Sequence, residues 1–528
     1  MSAVATMSAP LPAEHAQPSE GRKLAIFAIM AFGQFMALLD TQIVAASLNS
    51  IQAGLSAGPD EIAWVQTAYL MAEIVMIPLA AFLSQAISTR WLFTLSAVLF
   101  TLSSLLCGAA WSIQSMTVFR AVQGFVGGAM VPTVFATGFR LFTGKRRAMI
   151  PAVLGMVATL APTLGPSVGG WITDVASWRW LFYINIVPGA AIAILVPLLG
   201  KVDEPKLSML KRIDWLHVLS LAIFLGALQY VLEEGPRHQW FEDETVETVA
   251  WISFVGALVF FERTFFSDMP VLKLTPFRRL SFALACVMNL IIGFGLYGAI
   301  YLTPIFLGRV RGYSSLEIGT TVFVTGIFMA FSAPVASRLT TMIDQRFVMA
   351  AGFILFALSC WLTTGITAEW GFSELFLPQA LRGLAILLCI VPSVGLALNG
   401  VPPDELPYAS GLFNLMRNLG GAIGIAALTT WLQDFGRLHG ARFGEALAHA
   451  DTSVLSHAAA RISAFTSDPA HAQSLLQGEL AQFVARQALT QAFQDVFFLI
   501  AALFAAALVV VPFCKTVILS DNPPVEAH

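Results

Sequence analysis

The chain has 528 residues, 57% of them hydrophobic and 12% charged, with a mean hydropathy of +0.76 and a net charge of −3. Soluble chains are roughly 45–50% apolar and about 25% charged, so the solvent for most of this chain is lipid. The near-balanced charge and the lack of a dense Lys/Arg tract exclude a nucleic-acid binder.

Residues 1–21 are polar and rich in Ala, Pro and Ser, and read as a disordered cytoplasmic tail. The apolar stretch after Arg22-Lys23 is too long for a signal-peptide core and is retained as the first spanner. Stretches of roughly 17–25 apolar residues fall near 24–49, 62–84, 91–110, 116–138, 150–172, 180–199, 215–232 and 249–265. They continue near 279–307, 318–337, 347–367, 375–398, 408–432 and 494–514, fourteen in all. An even number puts both termini on one side. Loops on that side carry eighteen Lys and Arg residues against eight on the other, so both ends, including the tail 515–528, are expected in the cytoplasm.

Two far-side segments stand out. Residues 233–248 are acidic, and 433–493 form a long stretch rich in Ala, Gln and His that is partly helix-permissive around Leu475–Phe483. Loops of that length are usually functional, the alternative being a tolerated surface insertion. The five cysteines lie within or at the ends of apolar runs without metal-ligand or CxxC spacing, and read as packing residues. No GxSxG, HExxH or P-loop occurs, so no catalytic residues are assigned and an enzyme is not expected.

Charged side chains inside spanners are costly and mark ion or substrate pathways. Asp40 lies in the first spanner, Glu73 in the second and Arg120 in the fourth. At 1.5 Å per residue, Asp40 sits about 25 Å above Lys23, Glu73 a similar rise above Arg90, and Arg120 roughly 30 Å above Arg140. The three therefore fit one layer in the outer half. Asp40 is expected to exchange protons while held by Arg120. Glu73 is either a second proton site, a contact for cationic substrate, or a polar packing residue.

The fourth spanner places Arg120, Gln123, Gly124, Gly127 and Gly128 on one face, where small residues let a neighbouring backbone approach. The fifth carries Pro162, Gly165, Pro166, Gly169 and Gly170, which predicts a kinked, tightly packed helix able to act as hinge or seal. The thirteenth repeats the pattern with Gly411, Asn414, Arg417, Gly421 and Gly424. Gln34, Gln123, Asn414 and Arg417 are candidates for the cavity or its interfaces.

These motifs resemble those of the major facilitator superfamily, specifically its fourteen-spanner drug:proton antiporters of the EmrB-like multidrug efflux type. Leu39-Asp-Thr-Gln-Ile-Val-Ala-Ala-Ser-Leu-Asn is similar to the family's L-D-x-T-I-V-N-V-A-L-P, with Gln42, Ala45 and Asn49 as departures. Arg120 with Gln123-Gly124 is similar to R-x-x-Q-G, and Trp178-Arg-Trp-Leu-Phe-Tyr-Ile-Asn to W-R-W-I-F-x-I-N. Gly165-Pro-Ser-Val-Gly-Gly is similar to the antiporter motif G-x-x-x-G-P-x-x-G-G, with Ala161 in place of its first glycine. The motif G-x-L-a-D-r-x-G-r-k after the second helix is eroded: its aspartate is Gln85 and its glycines are Ala81 and Ser88. That motif is associated with a charge relay holding one conformation, and Arg90 alone does not rebuild it.

The resemblance implies an all-α membrane protein with two six-helix bundles, at 22–200 and 279–514, around a cavity, and two extra helices inserted at 201–278. It implies proton-coupled efflux of hydrophobic or amphiphilic small molecules across a bacterial inner membrane, driven by the proton gradient with no bound cofactor or metal. It also implies a periplasmic membrane-fusion adaptor and an outer-membrane channel as partners, with 433–493 on the side to meet the adaptor. A stand-alone exporter of a metabolite, siderophore or organic acid with the same fold remains the alternative.

Overall fold

A computed structural model describes residues 19–58, 61–142, 146–147, 149–199, 203–267, 270–399, 401–402, 405–448 and 469–514. Most of the expected tail, residues 1–18, and the segment 515–528 lie outside the described residues. Every regular element among them is helical. In chain order these are α1 Glu20–Ala46, α2 Leu48–Leu55, α3 Trp64–Ala86, α4 Thr89–Gly108, α5 Ile113–Gly127, α6 Met130–Leu141, α7 Met149–Val175, α8 Trp180–Tyr183 and α9 Ile186–Leu199. Then follow α10 Trp215–Glu234, α11 Glu244–Phe266, α12 Leu280–Arg309, α13 Ser315–Met342, α14 Gln345–Thr363, α15 Phe372–Leu398, α16 Leu406–Ala448 and α17 Pro469–Ala507.

Twelve stretches among the described residues are long and apolar enough to cross a membrane, α5–α6 and α8–α9 each counting as one. The two other expected spanners, 150–172 and 408–432, lie inside α7 and α16. At 27 residues, α7 is about 40 Å long, which exceeds the roughly 30 Å hydrocarbon layer.

The fourth spanner is broken where the Gly127-Gly128 pair meets a new helix. Pro132, three residues into α6, cannot donate a backbone hydrogen bond to α5, so the ladder restarts there. Helices α1 to α9 form one bundle and α12 to α17 the other, joined mainly by α7 against α13 and by α16 against α3 and α6. The inserted pair α10–α11 packs through α10 onto α3. Asp243 caps α11 by accepting from the Thr245 and Val246 amides, and these bonds hold its exposed carboxyl below the ordinary aspartate value.

The stretch 433–493, read as a loop, is largely helical at both of its ends. α16 is 43 residues long and α17 is 39, about 65 and 60 Å, so both run well past a bilayer's hydrocarbon. The two helices are antiparallel here, with Gly440 beside Ala488 and His439 Nε2 2.7 Å from Asp495 Oδ2. Arg486 donates to the Val310 and Ala368 carbonyls and Gln494 to the Ile366 carbonyl, fastening the base of the hairpin to the second bundle. Ala, Gln and Leu are good helix formers, which is why the chain continues the helices instead of looping. Residues 449–468 lie outside the described residues.

A candidate proton-coupling site beside a central cavity

Asp40 and Arg120 meet inside the first bundle. Arg120 Nη1 donates to Asp40 Oδ2 at 2.7 Å, and neither side chain is exposed. The other carboxylate oxygen accepts from Asn185 Nδ2 at 2.6 Å, and Asn185 also donates to Ser104 Oγ at 3.0 Å. Arg120 further donates to Gln123 Oε1 at 2.9 Å and to the Val65 carbonyl at 3.2 Å. Its guanidinium lies 4.2 Å from the centre of the Tyr69 ring. Four helices, α1, α3, α4 and α5, and the α8–α9 junction thus converge on this network. Only a paired, hydrogen-bonded carboxylate is tolerated at such depth.

The close approach has a local cause. A Cβ on Gly124 would collide with the Tyr69 carbonyl, and one on Gly128 would press on the Glu73 carbonyl. The small stripe of α5 therefore sets Arg120 against α3, the packing its spacing predicts. Gly127 faces Tyr69 and Phe100.

A cavity of about 150 Å³ lies between the bundles next to this pair. Glu73 lines it, as do Thr41 and Gln42 from α1, Gln66 from α3, Tyr297 from α12, and Arg417 and Asn418 from α16. Glu73 makes no hydrogen bond with the Asp40–Arg120 pair. Tyr69, one turn before Glu73 on α3, carries the Arg120 guanidinium over its ring. Arg417 is buried and donates from Nη2 to Asn414 Oδ1 at 2.7 Å, while Nε and Nη1 have no hydrogen-bond partner among the described residues. Asn414 itself donates to the Ser410 carbonyl. Gln34, one turn from Leu38 on α1, is fully buried, and neither amide atom has a hydrogen-bond partner among the described residues.

In α7, Gly165 and Gly169 sit where a Cβ would strike Gln42 and Ile43 of α1. The antiporter-motif glycines thus seal α7 against the helix that carries Asp40. Gly170 accepts from Thr173 Oγ1. Pro162 and Pro166 belong to α7, but their side chains lie outside the described residues.

Several residues of this region escaped the sequence reading. Glu233, assigned there to an acidic loop, occupies the last turn of α10 and lines the cavity with Gln229. Its neighbour Glu234 accepts from Thr67 Oγ1 at 2.9 Å, which locks α10 onto α3. Arg382 of α15 is buried and, among the described residues, bonds to Thr303 Oγ1 and the Ala299 carbonyl. An arginine inside a spanner is itself a signal, and this one was overlooked. Asn185 ends the quoted W-R-W motif, so its place was visible although its role was not.

The eroded motif after α3 has a replacement. Asp203, in the segment after α9, accepts from Ser88 Oγ, the Thr89 amide and Thr89 Oγ1, and from Arg140 Nη1 at 3.0 Å. Ser88 stands at φ +77°, a conformation suited to the glycine the family has there, and its hydroxyl bond to Asp203 offsets the strain. Ala81, in place of a family glycine, abuts Gly411 of α16, so this corner still touches the second bundle.

A sealed acid–base pair beside a cavity shared by two helical bundles defines a multi-pass membrane transporter. The chain belongs to the major facilitator superfamily, whose sequence pattern it matches in two overlapping stretches, 30–425 and 285–519. It is 38% identical over 471 residues to the Colistin resistance protein EmrB of Acinetobacter baumannii, covering 89% of this chain and 92% of that one. It is 28% identical over 504 residues to the Multidrug export protein EmrB of Escherichia coli K12, covering 94% and 97%. Its fold is shared with a bacterial homolog of the human lysosomal transporter Spinster (TM-score 0.53, 13% identity, 94% of this chain and 99% of that one). It is shared also with the human organic anion transporter MFSD10 (TM-score 0.56, 15% identity, 92% and 100%).

Proposed function

We propose that this protein exports hydrophobic or amphiphilic small molecules, drugs among them, in exchange for protons, across the inner membrane of a Gram-negative bacterium with both termini cytoplasmic. The observation that carries this reading is the Asp40–Arg120 pair, sealed from solvent yet one residue from Thr41 on the cavity wall. Protonation of Asp40 releases Arg120 and Asn185 from their bonds to the carboxylate, which loosens α1 against α5 and the α8–α9 junction. Because α1 is also sealed to α7 by Gly165 and Gly169, a change at Asp40 reaches the joint between the bundles, as rocking-bundle transport requires. The cavity offers Glu73 and Glu233 on one wall and Arg417 on another, and apolar residues such as Leu38, Leu70 and Ile425 between them, a lining suited to amphiphiles.

The same reading makes the protein the inner-membrane part of a tripartite pump. The α16–α17 hairpin supports this, since it projects far past the bundle and exposes Phe483, an apolar anchor for a helical adaptor. The test is a drug-susceptibility panel in a pump-deficient host, with and without an adaptor, beside proton-driven uptake into inverted vesicles. Uptake without any dependence on a proton gradient would refute the exchange.

A further inference from the structure

A second cavity, of about 860 Å³, lies on the outer side of α16, between it, the inserted helices α10 and α11, and the connection 270–278. Its walls are apolar: Phe224, Phe260 and Phe261 face Leu412, Leu415 and Leu419 across it. One end differs. Lys273 and Arg278 line it there, both exposed, and no acidic residue is among the described residues that line the cavity. Lys273 is steered by the Tyr408 ring, 5.3 Å from its Nζ. Glu405, just before α16, faces Arg279 at 3.9 Å and so leaves the basic end uncompensated by that acid. Phe261 and Phe265 are 42% and 70% exposed on the bilayer-facing surface, so the cavity is reachable from lipid.

An apolar chamber with cations at one end only is complementary to a molecule with an anionic head and long apolar tails. We propose that this cavity binds an anionic bilayer phospholipid, with its phosphate at Lys273 and Arg278 and its acyl chains against the phenylalanines. The basic end lies beside Tyr408, at the end of the bundle that carries the start of α1. Helix α16 presents Leu415 and Met416 to the lipid and Arg417 and Asn418 to the central cavity. A bound lipid therefore braces the helix that forms one wall of the transport path. This assignment stands apart from the export reading and does not depend on it.

The full chain, delipidated in detergent, would be titrated with dioleoyl-phosphatidylglycerol or dioleoyl-phosphatidylcholine and examined by native mass spectrometry. The expected result is a roughly tenfold preference for phosphatidylglycerol, reduced to near parity by Lys273→Gln with Arg278→Gln. Leu415→Trp, which narrows the chamber and leaves the cations in place, should lower phosphatidylglycerol retention, while Lys273→Arg should keep the preference and so control for folding. Equal retention of the two lipids by the wild type, or an undiminished preference in the double variant, would overturn the proposal. Displacement of phosphatidylglycerol by equimolar oleate would overturn the phospholipid assignment in favour of a single-chain anion.

Discussion

Arg120 and Arg382 hold the same ordinal place, the fourth spanner of their bundles, yet only Arg120 meets a carboxylate. The surrounding packing is alike: Gly124 abuts the Tyr69 carbonyl of α3, and Gly383 abuts the Thr325 carbonyl of α13. Asp40 fills the first site, whereas Arg382 finds a hydroxyl and a carbonyl. The first bundle thus holds the buried ion pair.

Removing one member of a buried ion pair strands the other, at a cost of about 3–5 kcal/mol. Arg120→Met should therefore lower the melting temperature markedly in detergent. Arg382→Met removes a charge that has no counter-ion among its bonded partners, so it should leave stability unchanged or raise it. Thermal unfolding of the two variants side by side checks the contrast, and equal destabilisation would contradict it.

Gly124→Leu forces α5 away from α3 by placing a side chain against a backbone carbonyl. It should abolish transport and lower stability by more than about 2 kcal/mol, the range of core overpacking. Gly436 meets nothing within 4 Å. Gly436→Leu should be near neutral in the same folding and transport assays.

Asp203→Ala removes the acceptor shared by the start of α4 and Arg140. The lost cap costs about 1 kcal/mol. The larger effect should be on gating, read as faster alkylation of a cysteine introduced at Thr41 from the side bearing the chain ends. Unchanged labelling would reduce Asp203 to a helix cap.

Shortening 441–484 to a tight linker, which spares His439 and Arg486 at the base, should leave substrate movement in reconstituted vesicles intact and abolish resistance in cells. A crosslinker at Phe483 should capture the adaptor. Resistance that survives the shortening, with no crosslink, would leave a stand-alone antiporter.

The spanners were legible because a hydrocarbon layer imposes length and apolarity on every crossing, and twelve stretches satisfy both. Asp40 with Arg120 was legible because a charge in a spanner is rare enough to be informative by itself. What failed to show was of two kinds. Asp203 serves Thr89 across a sequence separation of 114 residues, a partnership that only tertiary packing creates. Glu233 lies at a helix end, where an acidic run looks like a loop, and the 433–493 stretch looked like one because its polarity masked helix-forming residues. Tyr69 carried no charge to mark it, although its ring lies under the Arg120 guanidinium.

Asp40→Asn tests the central claim most directly, because the amide keeps the size of the carboxylate and cannot exchange a proton. In proteoliposomes bearing an internal pH dye, wild-type protein should release protons when substrate is taken up, and Asp40→Asn should bind the same substrate and exchange it for unlabelled substrate without any proton signal. A proton signal of wild-type size from Asp40→Asn would contradict the assignment of Asp40 as the coupling residue.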